Sequence, residues 1–434
     1  MPKVLADLVQ VNPPFALPQG MRPDTPVSFI PMSDLTEGGD WSGRQVRVLR
    51  EVTRGFTAFS DGDVLVAKIT PCFENGKGAC VEHLTNGIGF GSTEFHVLRP
   101  RDGTSSRFVH HLVQSARLRR AGEAFMIGSA GQRRVPRDFF DKYPAPELNS
   151  DEQVGVSLVL DTLDTAIRQT EAIIEKLKLV KQGLLHDLLT RGIDDNGELR
   201  PPQSEAPHLY KQSALGWIPA QWEVATIRDL LADSDPAMRS GPFGSALLKE
   251  ELVEHGIPLL GIDNVLTEKF HGNFTRFVTP SKFAQLSRYA VRPRDLMITI
   301  MGTVGRCCLV PDDIGRALSS KHTWTITLDK RKYMPVLAML QVNYSPWALS
   351  HFARDEQGGI MSAIRSDTLR ALRLPLPPMA EQLRIVGILG VLSQRIEKES
   401  AAIAKHGLER SGLMDDLLTG RVRVTPLLAE SVAR

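Results

Sequence analysis

Apolar residues recur in alternating steps of four and three through two segments of 39 residues, 152–190 and 381–419. This spacing keeps one stripe of a helix against a partner. Each helix would extend about 58 Å at roughly 1.5 Å per residue, which is too long to be buried in one small domain. The stripes include Leu160, Leu163, Ile167, Ile174, Leu177 and Leu184 in the first segment and Leu389, Leu392, Ile396, Ile403, Leu413 and Leu417 in the second. We interpret them as the seam of an intramolecular coiled coil, with an ordinary amphipathic helix in a bundle as the alternative.

The two segments are also copies of each other, 229 residues apart and aligned without a gap. Identical pairs include Glu152/Glu381, Gln153/Gln382, Leu160/Leu389, Ile174/Ile403 and Gly183/Gly412. Weaker matches precede them, because residues 27–35 correspond to 257–265 and residues 62–69 to 294–300. These stretches carry β-branched residues between Gly, Pro and Asp, which indicates short strands and turns. The chain is therefore predicted to be a tandem duplication.

The duplication predicts two β-rich globular heads, each followed by a long helix, with the two helices paired as a coiled coil. The predicted parts are a first head over 1–148, a long helix over 149–192, a linker over 193–214, a second head over 215–378, a second long helix over 379–420 and a tail over 421–434. The linker is assigned because this stretch has no apolar period and is rich in proline.

Composition narrows the class of protein. The 434 residues are 42% hydrophobic and 24% charged, which is typical of a globular protein with two or more domains. The 52 Lys and Arg nearly balance the 50 Asp and Glu, so a nucleic-acid site must be a local patch. The four cysteines have no zinc-ligand spacing, which favours a reduced cytoplasmic protein without structural zinc. The start of the chain is not typical of a signal peptide, and no apolar run approaches the roughly 18 residues of a membrane span.

Three short motifs carry a family resemblance. They are Ser-Gly-Pro-Phe-Gly-Ser at 240–245, Leu-Gly-Trp-Ile-Pro-Ala-Gln-Trp-Glu-Val at 215–224 and Leu-Pro-Leu-Pro-Pro-Met-Ala-Glu-Gln at 374–382. With the duplication, they resemble the DNA specificity subunit of type I restriction-modification systems over nearly the whole chain. The first head lacks the Gly-Pro-Phe-Gly turn, so contacts inferred from that turn apply to the second head alone.

The resemblance implies a division of labour between heads and helices. It implies an α+β fold in which two mixed α/β target-recognition domains are joined by two long antiparallel coiled-coil helices. These domains would read the two halves of an interrupted, asymmetric site in double-stranded DNA. Two methyltransferase subunits, and then the restriction and motor subunits, would assemble on the helices. The chain itself would be non-catalytic and without a cofactor, and S-adenosylmethionine, ATP and Mg would be bound by partner subunits. The helices match better than the heads, which suits a frame for two identical partners and two different DNA targets. Faster divergence of exposed β-rich domains is the alternative explanation.

Candidate DNA contacts are cations, amides and glycine turns, because these groups bind base edges and phosphates. In the first head they are Arg44, Gln45, Arg47, Arg50, Lys68, Lys77, Gln132, Arg133 and Arg134. In the second head they are Arg239, Ser240, Gly241, Gly244, Ser245, Lys249, Thr303, Arg306, Lys321 and His322. Any one of these basic residues, taken alone, is more often a solvated surface charge than a base contact, so the prediction concerns the clusters.

Two alternatives compete with this interpretation. Asn-Pro-Pro-Phe at 12–15 resembles the catalytic tetrapeptide of adenine-N6 methyltransferases, but we find no glycine-rich cofactor unit and interpret the tetrapeptide as a turn. A coiled-coil scaffold that never binds DNA is the second alternative, and the near-zero net charge slightly favours it. No Walker-type phosphate loop is present, and His110 and His111 lie in an apolar helical stretch that favours core histidines over metal ligands.

Overall fold

The computed structural model describes residues 3–129, 131–356 and 364–424 and divides into two compact units. The first unit contains Met1–Ala172 and Glu399–Arg434, and the second contains Ile173–Lys398. Both division points fall inside a long helix, so each unit includes part of each helix. The predicted segments instead treated the helices as separate from the heads. The predicted tail is described as far as Val424, and its remainder lies outside the described residues.

The described part of the first unit contains two four-stranded sheets. Its strands are β1 (Val9–Val11), β2 (Pro26–Ile30), β3 (Gln45–Val48), β4 (Thr57–Ser60), β5 (Val64–Ala67), β6 (Gly78–Cys80), β7 (Ile88–Gly91) and β8 (Phe95–Pro100). One sheet has the order β1-β8-β5-β6 and the other β3-β2-β7-β4. Strands β2 and β7 are parallel, and the other neighbours are antiparallel.

Helices cover the sheets of the first unit. They are α1 (Leu5–Leu8), α2 (Leu49–Val52), α3 (Ser106–Gln114), α4 (Ala116–Ala124), α5 (Arg137–Lys142) and the first part of α6 (Ser150–Thr190). Ser105 is the N-cap of α3, because its hydroxyl accepts a hydrogen bond from the Phe108 N–H at 3.2 Å. The buried ring of Phe108 then shares a core with Phe140 and with Leu160 of α6. The long helix is therefore part of the same core as the head.

The second unit repeats this arrangement with additional strands. They are β9 (Tyr210–Ser213), β10 (Gly216–Pro219), β11 (Glu223–Thr226), β12 (Met238–Ser240), β13 (Ile257–Leu260), β14 (Phe277–Val278), β15 (Leu296–Thr299), β16 (Cys307–Leu309), β17 (Leu318–Ser319), β18 (Thr323–Ile326) and β19 (Arg373–Leu376). The helices are α7 (Ile227–Leu230), α8 (Pro280–Gln285), α9 (Pro335–Tyr344), α10 (Pro346–Glu356), α11 (Ser366–Ala371) and α12 (Met379–Leu417).

The two heads share one strand topology. The sheet β1-β8-β5-β6 of the first unit corresponds to β12-β18-β15-β16 of the second. The parallel pair β2 and β7 corresponds to the parallel pair β13 and β17. Strands β2 and β13, and likewise β5 and β15, lie in the stretches that the sequence comparison aligned. The heads therefore share the order of one four-stranded sheet and one parallel strand pair, whereas the other sheet has four strands in the first head and three in the second.

The long helices have the predicted extent. Helix α6 spans 41 residues and α12 spans 39, and glycines with positive φ follow both, Gly192 at 62° and Gly420 at 71°. Such glycines are common after helix ends because they adopt the left-handed conformation without a Cβ clash. All twelve stripe residues are buried or half-buried. Within the first unit the helices run antiparallel, because Arg410 pairs with Asp164 while Arg423 pairs with Glu152.

A Glu-Gln pair fastens the start of each long helix to its head. The Gln153 amide accepts a hydrogen bond from the Ser105 N–H at 3.1 Å and donates one to the Leu148 carbonyl at 3.1 Å. In the second unit, Gln382 accepts from the Met334 N–H at 2.9 Å and donates to the Pro377 carbonyl at 2.9 Å. Ser105 and Met334 are the N-cap residues, directly before α3 and α9. The repeated glutamines therefore make the same contacts in both heads.

The glutamates of these pairs hold the chain that follows the other helix. Glu152 binds Arg423 at 2.8 Å, beyond the end of α12. Glu381 binds Arg200 at 2.5 Å, beyond the end of α6, and also accepts a hydrogen bond from the Trp222 indole at 3.0 Å. Both carboxylates are almost completely buried. Each ion pair therefore joins the start of one long helix to the chain beyond the end of the other.

The segment 193–214 has more contacts than a flexible spacer would have. Ile193 is buried in the core of the second unit, and its N–H binds Glu381 at 2.9 Å. Arg200 is buried against the same carboxylate. These contacts are not visible in the spacing of apolar residues, because a single apolar residue and a single cation produce no periodic pattern.

In the described part of the chain, no helix is both long and apolar enough to cross a lipid bilayer.

The two glutamates give a matched test of this anchoring. Glu381→Gln leaves the charge of Arg200 unpaired at 7% side-chain exposure, so it should lower the free energy of unfolding by about 3 kcal/mol. Glu152→Gln should cost about 1 kcal/mol or less, because the Arg423 side chain is 52% exposed and water can solvate it. Urea unfolding of the full chain measures both values, and equal losses would contradict the account.

Candidate nucleic-acid interface

Three loops of the second head meet at one end of its four-stranded sheet, where strands stop or begin. We call this end of the sheet the loop edge. Strand β12 ends at Ser240, and β15 ends at Thr299. Strand β18, which lies between them, begins at Thr323 and is antiparallel to both. The loops over 241–245, 300–306 and 320–322 therefore leave the sheet on the same side. Most of the predicted candidates of this head, which lie far apart in the sequence, are thus brought together, but Arg239 and Lys249 are not.

Backbone hydrogen bonds fasten these loops to one another. The Gly241 N–H donates to the Ser320 carbonyl at 3.1 Å, and the Ile300 N–H donates to the His322 carbonyl at 3.1 Å. A Cβ at Gly241 would collide with the carbonyl oxygen of Ser319, so this approach requires glycine. The edge is therefore built as a fixed surface.

Two cations, a histidine and a threonine lie at this edge. Arg306 and Lys321 are exposed, and His322 and Thr303 are half-buried. Burial, together with the charges of Lys321 and Arg276, lowers the pKa of His322 below its usual value. His322 is therefore neutral at pH 7 and offers a donor and an acceptor, while Arg306 and Lys321 supply positive charge. Such a set of groups suits phosphates and base edges.

Arg239 was a wrong candidate, because its side chain is buried. Its guanidinium forms an ion pair with Asp295 and donates to the Ala290 carbonyl at 2.7 Å. Asp295 also accepts a hydrogen bond from the Thr327 hydroxyl at 2.6 Å. Arg239 therefore stabilises the sheet from inside and is not available to a ligand at the surface.

The remaining candidates of the second head lie on the Gly-Pro-Phe-Gly turn or beyond it. Ser240 and Gly241 are buried at the base of the turn, whereas Gly244 and Ser245 are exposed. Lys249 is exposed on the stretch that follows, between Leu247 and Leu252, which pack against the three-stranded sheet β14-β13-β17. Lys249 is therefore placed away from the loop cluster.

The corresponding edge of the first head also collects cations. Strand β5 ends at Ala67 just before Lys68, and β6 begins just after Lys77. The Val135 N–H donates to the Lys68 carbonyl at 2.9 Å, which brings the stretch with Gln132, Arg133 and Arg134 to the same edge. Gln132 is exposed there, and the four cations are half-buried.

Acidic partners hold two of these arginines. Arg134 binds Glu94 at 2.8 Å, and Arg133 lies 3.6 Å from Glu74. The hydrogen bond from Arg134 lowers the pKa of the Glu94 carboxyl below its usual value. A polyanion must therefore compete with these carboxylates, which distinguishes this edge from that of the second head.

Four candidates of the first head lie elsewhere. Gln45 and Arg47 belong to β3, an edge strand of the other sheet, and Arg44 and Arg50 flank it. Arg44 stacks over the Trp41 ring at 4.0 Å and Arg47 over the Phe29 ring at 3.7 Å, while Gln45 donates to Asp34 at 2.9 Å. This group forms a second surface, separate from the edge that carries Lys68.

The tetrapeptide 12–15 lies at the loop edge of the first head, directly after β1. The Asn12 side chain accepts a hydrogen bond from the Val97 N–H at 3.0 Å and contacts His96 at 2.9 Å. Its amide is therefore used to hold a turn, as the interpretation of this motif as a turn requires. Residues 12–15 stand 229 positions before 241–244, the same offset as in the helices. The sequence analysis missed this correspondence because the two tetrapeptides differ.

His110 and His111 are buried, and the His111 ring donates a hydrogen bond to the Asp161 carboxylate at 2.9 Å. In the described part of the chain, His111, Asp161 and Asp164 are the three residues grouped closely enough to share a metal ion. Arg107 pairs with Asp161, and Arg410 pairs with Asp164. Because both carboxylates are already neutralised, the cluster supports a structural role that links α3 with α6 and α12.

A scan against protein-family models finds no match for this chain. Curated proteins do match. The chain is 36% identical over 154 residues to the type I restriction enzyme EcoEI specificity subunit of Escherichia coli, covering 35% of this chain and 25% of that protein. It is 35% identical over 189 residues to the EcoAI specificity subunit of the same species, covering 39% and 32%. The matches thus span between a quarter and a third of these two relatives.

A more distant relative is matched over a longer stretch. The MjaVIII specificity subunit of Methanocaldococcus jannaschii is 23% identical over 335 residues, which is 73% of this chain and 71% of that protein.

Solved structures share the fold. The type I restriction-modification S subunit from M. genitalium has a TM-score of 0.55 at 14% identity, with 96% of each chain covered. A chain from a structure of type I R-M complex assembly and conformational transition has a TM-score of 0.55 at 16% identity, with 97% of each chain covered. The combination of helix and sheet is therefore that of these proteins, and the resemblance inferred from the residues is confirmed.

Proposed function

We propose that this relative of the type I restriction enzyme specificity subunits is itself the sequence-specific DNA-binding subunit of a type I restriction-modification complex. The observation that carries the proposal is the duplicated head, in which one strand topology presents a cationic loop edge twice. Loops on a rigid sheet can bind DNA, because binding residues concentrate on loops that a rigid scaffold positions. The chain contributes recognition, and the chemistry belongs to its partners.

The two heads read different sequences. Their scaffolds agree, but the donors at the two edges differ, with Gln132, Arg133 and Arg134 in the first head and Arg306, Lys321 and His322 in the second. Base discrimination depends on the type and placement of such side chains. One chain with two unlike heads therefore recognises a bipartite, asymmetric site in double-stranded DNA.

The long helices serve as the frame between the two recognised half-sites. Their lengths of 41 and 39 residues correspond to about 60 Å at roughly 1.5 Å per residue. The spacer length of the DNA site follows from this helix length.

Two identical partner subunits bind this frame. Exposed apolar residues recur at the repeat offset, since Leu179 and Leu408 are 69% and 76% exposed, and Val154 and Leu383 are 55% and 54% exposed. Exposed apolar residues of this kind mark protein contacts when they recur in a pattern. A pseudo-two-fold chain presents such a surface twice, which suits two methyltransferase subunits. The restriction and motor subunits join this complex, and S-adenosylmethionine, ATP and Mg bind to the partners.

Salt-dependent DNA binding tests the first part of the proposal. In complex with the methyltransferase partner, Lys321→Ala and Arg306→Ala should each reduce the slope of log affinity against log salt by about 0.9, because each removes one phosphate contact. Lys330→Ala is the matched control, since Lys330 is exposed beyond the opposite end of β18. Equilibrium titration of labelled duplex from about 50 to 200 mM salt measures the slopes.

Binding that does not depend on salt, in both the parent complex and the variants, would contradict DNA recognition and support the scaffold alternative. A loss in Lys330→Ala equal to that in Lys321→Ala would show that any cation matters and that the loop edge is not the site.

Partner stoichiometry tests the second part. Leu408→Asp or Leu179→Asp should each leave one methyltransferase subunit bound, because each change places a charge in one copy of the docking surface. The double variant should bind none. Native mass spectrometry of the purified complex counts the subunits, and Leu349→Asp, at an exposed site on α10 of the second head, is the control. Two bound subunits in the double variant would refute the docking surface.

A further inference from the structure

The turns over 12–15 and 241–244 are the same element of the two heads. The first follows β1 and the second follows β12, the corresponding strands of the two four-stranded sheets. Both therefore lie on the loop edge of their head. Their sequences differ, however, because Asn-Pro-Pro-Phe stands in the first head and Gly-Pro-Phe-Gly in the second.

Phe243 projects from the turn of the second head. Its side chain is 61% exposed, whereas Gly241 and Pro242 immediately before it are buried. Gly241 is fixed to Ser320 by its N–H, and the Ala246 N–H closes the turn on the Phe243 carbonyl at 3.2 Å. The ring is therefore held out in solvent by a rigid support, and a support of this kind lowers the entropy lost when the ring binds a partner.

A cation lies beside this support. Gly241 lies against Ser320, directly before Lys321 and His322, and the Ser240 hydroxyl donates to the Lys321 carbonyl at 3.4 Å. In the described part of the chain, neither Lys321 nor Arg306 forms an ion pair. An exposed aromatic ring among unpaired cations is suited to nucleic acid, in which anionic phosphates alternate with flat apolar bases. A protein partner with an apolar surface would have to bury these charges.

The first head has no equivalent ring. Pro14 occupies the position that corresponds to Phe243, and the Phe15 ring packs against Phe90 with centroids 5.8 Å apart. Phe15 is also only half-exposed. The two heads therefore differ in whether an aromatic side chain at this turn is free to contact DNA.

We propose that Phe243 is a wedge that inserts between neighbouring base pairs in the half-site read by the second head and unstacks that base step. Side chains of this type kink DNA when they enter a base step. The first head reads its half-site without such a wedge. Indirect readout then acts on one half of the site alone, since the energy needed to open a step depends on its sequence. The proposal rests on the proposed DNA-binding function.

Permanganate footprinting of the complete methyltransferase complex on its duplex tests the wedge, because permanganate attacks thymines whose faces are unstacked. Thymines opposite the methylated adenines are set aside, since base flipping exposes them as well. The parent complex should show additional reactive thymines in one half-site only. Phe243→Ala should abolish that reactivity and reduce affinity about tenfold or more, with an unchanged salt slope. Phe243→Trp should keep both the reactivity and the affinity.

Trp217→Ala is the matched control, because Trp217 is an exposed aromatic residue of the same unit that lies on β10 and not on the loop edge. It should behave as the parent complex. The wedge is refuted if Phe243→Ala leaves footprint and affinity unchanged, or if both half-sites lose reactivity together. Failure of the parent complex to bind the duplex at all would refute the proposed function instead, so the two failures are distinguishable.

Discussion

The structure depends on a buried carboxylate at the start of each long helix. A buried charge is tolerated when a partner and hydrogen bonds replace its water, and Glu381 has both in Arg200 and the Trp222 indole. Glu152 has Arg423 in the same role. Because each arginine follows the opposite helix, the two glutamates connect the beginning of one helix with the chain beyond the other. The neighbouring glutamines attach the helix to its head. These contacts explain why the Glu-Gln pair is identical in the two copies when most of the surrounding head is not.

This constraint separates the part of the molecule that must stay alike from the part that is free to differ. The sheet that carries the loop edge keeps one strand order, and the helices keep their anchors, so the loop edge stays in the same place in both heads. The recognition side chains on the loops do not take part in these anchoring contacts. Arg306 and Lys321 can therefore differ from Arg133 and Arg134 without cost to the fold. In the proposed function, that freedom is what allows one chain to recognise two unlike half-sites.

The helices could be predicted closely from the sequence, and the recognition edges only in part. The stripe placed the helices at 152–190 and 381–419, within two residues of Ser150–Thr190 and Met379–Leu417, because helical periodicity accumulates over many residues. Arg239 was placed at the surface by mistake, since its partner Asp295 lies 56 residues away and strand pairing alone brings them together. The repeat offset could have identified the turn at 12–15, but its residues differ from those at 241–244.

The central claim is that two unlike heads on one frame each read one part of a divided DNA site. Methylome sequencing of cells that carry the complete system tests it most directly when residues 215–378 are replaced by those of a related subunit. The account predicts a two-part methylated motif in the parent and a change confined to one part after the replacement. A continuous motif, or a change in both parts, would contradict it.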